Sequence, residues 1–297
     1  MKVLAAVDGS PSSLDAVSLI GSLINPAVDE VAVYFSPLEI RKRLPGQSEK
    51  VVEGAVAAIF DEACSLLPQG MTHKVEAIVS SKPAAVGILE TAEGWHADLL
   101  VLGARGLSTV ERLFLGSVSR AVLHGSQLPV LIVRTAFPSD RPLKVLACHR
   151  DASAAALAAA VGRLHWPEAT QGRVIGVTES LLAGPLPEWL EQRVRDPDTA
   201  AIADAWQKEH DDEVQTLAGK LQAFAGLLPE VFRRQEPILV EGNAGDRIVE
   251  TAKANGDDLI VIGRTPTDAF SRWLLGSTSE AVIMHAPASV LVVPVPK

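Results

Sequence analysis

Asp98-Leu99-Leu100-Val101-Leu102-Gly103-Ala104-Arg105-Gly106, then nine residues from Leu107 to Leu115, then Gly116-Ser117-Val118-Ser119: this stretch decides how the rest of the chain is read. The apolar run is a buried strand, the glycines hinge a loop, and a new helix starts at Ser117, whose hydroxyl is placed to cap it. Gly103 and Gly106 allow backbone conformations closed to other residues and let a ligand approach the main chain. Such a turn suits an anion, phosphate above all, because the first amides of a helix point outward. The same glycines can equally serve only to make a turn after a strand. No Gly-Lys-Ser/Thr follows, so this is not a Walker A loop, and it is not a Gly-x-Gly-x-x-Gly placed after the first strand. A phosphate site here requires a different nucleotide fold.

Working outward, residues 2–7 form a β-branched apolar strand that ends in Asp8-Gly9-Ser10-Pro11-Ser12-Ser13, turn and cap residues before a helix at 14–24. Asp8 therefore lies at the carboxyl end of a strand, the edge that lines the ligand crevice of an open α/β sheet; a turn or capping aspartate fits the same position. Residues 30–35 make a second strand closed by Ser36-Pro37, and the basic Arg41-Lys42-Arg43 lies in a surface connection. A helix over 49–67 carries the apolar stripe Val52, Val56, Ile59, Ala63 and Leu66. Strands at 73–80, 98–103 and 129–133 alternate with helices at 83–92 and 117–124. This alternation predicts a mostly parallel, doubly wound sheet with right-handed crossovers.

The second half restates the first. Lys144-Val-Leu-Ala147 matches Lys2-Val-Leu-Ala5, and Asp258-Leu-Ile-Val-Ile-Gly263 matches Asp98 to Gly103. The offset of 160 residues between Gly103 and Gly263 also takes Gly116-Ser117 to Gly276-Ser277 and Ser119 to Ser279. The copies differ where a ligand would be held. Gly106 becomes Pro266, which has no amide hydrogen. Asp8 falls opposite Arg150, with Asp151 able to take its place if the turn shifts by one residue. Residues 179–197 are proline-rich and lead into a long helix at 198–224 bearing Ala201, Ala205, Leu217, Leu221 and Phe224. The expected organisation is a first domain at 1–136, a linker at 137–142 and a second, degenerate domain at 143–297.

Composition narrows the function classes. A chain of 297 residues can bury two cores, and 47% hydrophobic content with only 4% aromatic suits aliphatic strands and alanine-rich helices. The formal net charge of -9 disfavours a nucleic-acid or anionic-membrane surface. With neither a cleavable signal pattern nor a bilayer-length apolar run, the expectation is a cytoplasmic protein. Cys64 and Cys148 are read as buried thiols, one in each half, and the seven histidines form no metal-binding pair.

With Ala6-Val7-Asp8-Gly9-Ser10 and the glycine motif in view, the chain resembles the universal stress protein family in its tandem two-domain form. The resemblance implies two Rossmann-like (adenine nucleotide α-hydrolase-like) α/β domains, each a five-stranded, mostly parallel sheet flanked by helices. It also implies ATP, with Mg2+, in the first domain. Asp8, beside Gly9 and Ser10, would meet the adenosine portion, with Ser36 near the base. Gly103, Gly106, Gly116, Ser117, Val118 and Ser119 would serve ribose and phosphates. Arg105, inside the loop, can either contact a phosphate or face solvent. Family members pair through the fifth strand, so 129–133 and 289–293 are expected to pair within the chain as a pseudo-dimer, with homodimerisation of the whole. The expected role is a stress-response nucleotide-binding regulator. An interaction scaffold built on the long helix is the alternative. No positioned base, Walker-type lysine or metal-binding carboxylate pair is recognisable, so turnover beyond slow ATP hydrolysis is not expected.

Overall fold

The computed structural model describes residues 1–38, 41, 46, 48–71, 74–106, 115–136, 138, 140–178, 197–264 and 276–295. In the first half, β1 (Lys2–Val7), α1 (Pro11–Gly21), β2 (Glu30–Phe35), α2 (Glu49–Ser65), β3 (Val75–Val79), α3 (Ala84–Gly94), β4 (Leu99–Gly103), α4 (Ser117–Gly125) and β5 (Val130–Val133) follow one another. The second half continues with β6 (Lys144–Cys148), α5 (Ala154–Gly162), β7 (Gln171–Thr178), α6 (Pro197–Leu227), β8 (Ile238–Glu241), α7 (Ala244–Asn255), β9 (Leu259–Arg264), α8 (Ser277–His285) and β10 (Ser289–Pro294).

Each half is a parallel sheet, and the two join edge to edge in the order β3-β2-β1-β4-β5-β10-β9-β6-β7-β8. The junction is the antiparallel pairing of β5 with β10, with Leu131 opposite Leu291. The expected intrachain pairing of the fifth strands is therefore present. Because strands carry side chains alternately to two faces, the buried residues separate into two layers. Val3, Ala5 and Val7 face α1 and α2, with α5 and α6 on the same side, while Leu4 faces the layer containing α3, α4, α7 and α8. Both faces of the sheet are covered, which is why the inner strands read as continuous apolar runs.

Several local expectations shift. Helix α1 starts earlier than residue 14, because Ser10 caps it through the Ser13 amide and Pro11 occupies the first turn. On α2, Phe60 is buried while Leu66 is 38% exposed, so the expected stripe ends one turn early. Cys64 is exposed, contrary to the buried reading; Cys148 is buried, and burial pushes its thiol up. The long helix extends over Pro197–Leu227, but only its carboxyl-terminal half is core: Leu221 and Phe224 are buried, Leu217 packs beside them, and Ala201 and Ala205 are exposed. Residues 179–196, the proline-rich approach, lie outside the described residues, as do Lys42, Arg43 and Pro266.

Candidate functional site

Three segments distant in sequence meet at the carboxyl ends of β1 and β4. Parallel pairing of these strands, with Ala6 opposite Leu102, sets the turn after Val7 beside the loop after Gly103. Gly9 makes the turn with a φ of 77°, a left-handed value that suits glycine. The Asp8 amide donates to Ser13 Oγ at 3.3 Å, and Asp8 Oδ1 accepts the Ser10 amide at 3.0 Å. Ser10 Oγ in turn donates to the Arg105 carbonyl at 3.4 Å, which ties the turn to the loop.

The glycines stand where the chain runs closest. A Cβ on Gly106 would lie 2.7 Å from Asp8 Oδ2, and one on Gly103 would lie 2.7 Å from the backbone carbonyl of Ser12. The loop returns through the Gly116 amide, which donates to the Ala104 carbonyl at 2.8 Å. Ser119 Oγ donates to the Gly103 carbonyl at 2.7 Å, binding the first turn of α4 to the end of β4.

The cap of α4 differs from the expectation. Gly116, with φ −61° and ψ 154°, is the cap residue, and among the described residues no capping side chain bonds the first amides; Ser117 is already helical and exposed. The sequence pointed to Ser117 because serine favours caps. A glycine cap instead leaves the amino terminus of α4 open to an external acceptor. Val118 is half-buried in the same turn and Ser119 is buried. Asp8, Gly9, Ser10, Gly103, Arg105, Gly106, Gly116, Ser117, Val118 and Ser119 thus form one neighbourhood. Ser36 ends the adjacent strand β2, and its hydroxyl donates to the Lys82 carbonyl at 2.9 Å. None of the contacts among the described residues ties it to the loop.

Arg105 is half-buried and lies close enough to Asp15 to offset part of the burial that raises that carboxyl. Arg134, which directly follows β5, is a residue that the motif reading missed. It is 5% exposed, and its guanidinium is lowered by burial first and then by the charge of Arg105. An arginine ending an otherwise apolar strand was the available signal.

In the second half the corresponding turn is arranged differently. Asp151 does not reproduce Asp8: its carboxylate is bound by Lys220 of α6 at 2.6 Å and lies 3.5 Å from His149 Nε2. Burial, offset in part by Asp151, lowers the His149 imidazole. At the loop start, where the first half has Ala104, Arg264 is buried and donates to the carbonyls of Leu123 at 2.9 Å and Ser126 at 3.2 Å. A cavity of about 480 Å³ opens over the end of β7, lined by Val177, Thr178 and Leu217 and by Glu209, Asp212 and Glu213 of α6.

The family profile described as "Universal stress protein family" matches residues 1–134 and 190–294. The chain belongs to the universal stress protein family. A universal stress protein of Thermus aquaticus is 31% identical over 145 residues, covering 44% of this chain and 97% of the relative. One from Mycobacterium tuberculosis is 31% identical over 153 residues, covering 46% of this chain and only 44% of the relative. A Coxiella burnetii universal stress protein is matched over 49% of its length. Among solved structures, a universal stress protein from Archaeoglobus fulgidus aligns over 100% of this chain and 97% of its own, with TM-score 0.59 and 19% identity. A functionally unknown protein from Pseudomonas aeruginosa gives TM-score 0.62 at 15% identity over 99% of this chain and 92% of its own. These two establish the shared fold, which in this chain is two tandem universal stress protein domains.

Proposed function

We propose that the first domain, residues 1–136, binds ATP and that this universal stress protein is a cytoplasmic, nucleotide-responsive regulator of a stress response. The observation that carries the reading is the uncapped amino terminus of α4, held by Ser119 and Gly116 against a loop whose Gly106 lies in contact with Asp8. Unsatisfied amides at a helix start favour an anion by about 0.3–1 kcal/mol, and up to about 2 kcal/mol when partly buried. Asp8, at the far side of the loop, suits the hydroxyls of a ribose or the edge of a base rather than a phosphate, which it would repel. A Mg2+ would arrive on the phosphates, since no group of three potential metal-binding His, Cys, Asp or Glu side chains exists among the described residues.

The second domain, residues 143–297, is read as a non-nucleotide domain. Glu209, Asp212 and Glu213 repel a triphosphate, Lys220 on the same wall is paired with Asp151, and Arg264 is engaged with carbonyls of the first half. The exposed Ala201, Asp204, Ala205, Gln207 and Lys208 of α6 favour the alternative role of interaction scaffold for this domain. Since β5 and β10 cover each other within the chain, a homodimer would have to use another surface.

The test is mass spectrometry of small molecules released from freshly purified, denatured protein, with calorimetric titration of the emptied protein. Adenine nucleotide in the released fraction, or one ATP bound per chain, supports the reading. A chain that neither carries nor binds adenine nucleotide refutes it.

A further inference from the structure

The last residue of β5, Val133, pairs with Gly103, and its carbonyl accepts the Ala104 amide at 2.7 Å. The next residue, Arg134, therefore leaves the sheet beside the start of the glycine loop. Its side chain is buried, and Nη2 donates to the carbonyl of Ile283 near the carboxyl end of α8, in the other half of the molecule. Nε and Nη1 are buried without a hydrogen-bond partner, and among the described residues no carboxylate pairs with the guanidinium. A buried cation left in this way is destabilising unless an anion meets it. The negative end of α8 compensates only in part. The cation close enough to influence Arg134 is Arg105, which adds to the demand for negative charge.

Among the described residues the unpartnered guanidinium N–H groups at the seam belong to Arg134, not to Arg264. The offset of 160 residues takes Arg134 to Pro294, which carries no charge. Arg264 ties the seam from the other half, since Leu123, whose carbonyl it meets, is the counterpart of Ile283 at the same offset, but it stands where the first half has Ala104.

We propose that Arg134 is a phosphate-reading residue of the nucleotide site: together with Arg105 it holds the terminal phosphate of a nucleoside triphosphate, and through Ile283 it ties that phosphate to the second domain. This rests on the ATP reading above. The planar guanidinium offers two adjacent N–H groups, the geometry that phosphate oxygens accept as a pair. A nucleoside monophosphate would reach the open end of α4 without engaging it.

Arg134→Met in the full chain, with wild type beside it, is titrated with ATP and with AMP after its fold is checked by circular dichroism and gel filtration. ATP affinity is expected to fall at least tenfold while AMP affinity stays within twofold. Equal losses for both ligands identify a merely structural arginine, and an unchanged ATP affinity removes it from the site; either overturns the proposal while leaving ATP binding intact. Wild type that binds neither nucleotide overturns the ATP reading and this inference together. Should Arg134→Met fail to fold, Arg134→Lys keeps the charge but not the fork, and a loss confined to ATP of about threefold or more is expected. Parallel losses for ATP and AMP in that variant overturn the proposal.

Discussion

Gly106 and Gly103 have different jobs although they share one motif. A Cβ at Gly106 meets only the end of a movable side chain, Asp8 Oδ2 at 2.7 Å. Gly106→Ala should therefore change stability by less than about 1 kcal/mol while displacing Asp8 from the ligand position proposed for it. ATP affinity is expected to drop at least tenfold by calorimetry, with a nearly unaltered melting curve. At Gly103 the obstacle is the Ser12 backbone, also at 2.7 Å, which cannot rotate away. Gly103→Ala should cost about 1–3 kcal/mol as an overpacked contact, visible as a lower urea midpoint even without nucleotide. Both glycines were legible in the sequence as positions of close approach. What each one approaches was not, because Asp8 and Ser12 lie roughly 90 residues away along the chain and are brought in by the pairing of β1 with β4.

At the scale of the helix, the missing cap of α4 separates stability from binding. Gly116 has an extended backbone that any residue adopts, and a Cβ there would make only ordinary contact, 3.4 Å from the Ala104 carbonyl. An aspartate in that position can accept the first helical amides, which is worth a few tenths of a kcal/mol over glycine. Gly116→Asp should thus raise the melting temperature of the nucleotide-free protein and, by filling the site with its own carboxylate, abolish ATP binding. The duplicate supplies the control. Gly276 caps α8 with φ −62° and ψ 149°, so Gly276→Asp should stabilise similarly and leave ATP affinity unchanged. A fall in melting temperature for Gly116→Asp would show that those amides are already satisfied. Serine at 117 suggested a side-chain cap from composition alone. The helix starts at Ser117 as expected and the cap lies one residue earlier, because the Arg120 amide already reaches the Gly116 carbonyl at 2.9 Å.

Across the whole molecule, the halves are joined by more than the β5–β10 pairing. Asp98, ahead of β4, accepts the Lys2 amide at 2.7 Å and pairs with Arg163, just after α5 in the second half, at 2.8 Å. Burial acts to raise the Asp98 carboxyl, but the Lys2 amide and Arg163 outweigh it and hold the group below its ordinary value. A folded-state value below the unfolded one means that the unfolded chain binds more protons, so the contribution to stability is present above about pH 4 and is lost as pH falls through the folded value. Asp98→Asn should therefore have a lower urea midpoint than wild type at pH 7, with the gap closing below about pH 4. A gap that stays constant down to pH 3 would mean that the carboxylate charge contributes nothing. Arg134 and Arg264 add two further ties, each running from one half to carbonyls of the other.

Strand and helix periodicity, the duplication at 160 residues, the positions of the glycines and the choice of which half retains the motif were all written in the sequence, since each depends on residues close together in the chain or on a repeat that can be counted. Tertiary structure alone decided the partners of long polar side chains. Asp151 could take the place of Asp8 on paper, but α6 brings Lys220 to it. Arg134 opens the proline-punctuated connection after the fifth strand in sequence, and it is a buried cation only because α8 packs over the seam. Spacing in sequence determines where a side chain starts; what it meets at its far end is set by strands and helices distant in the chain, 69 residues away for Asp151 and 149 for Arg134.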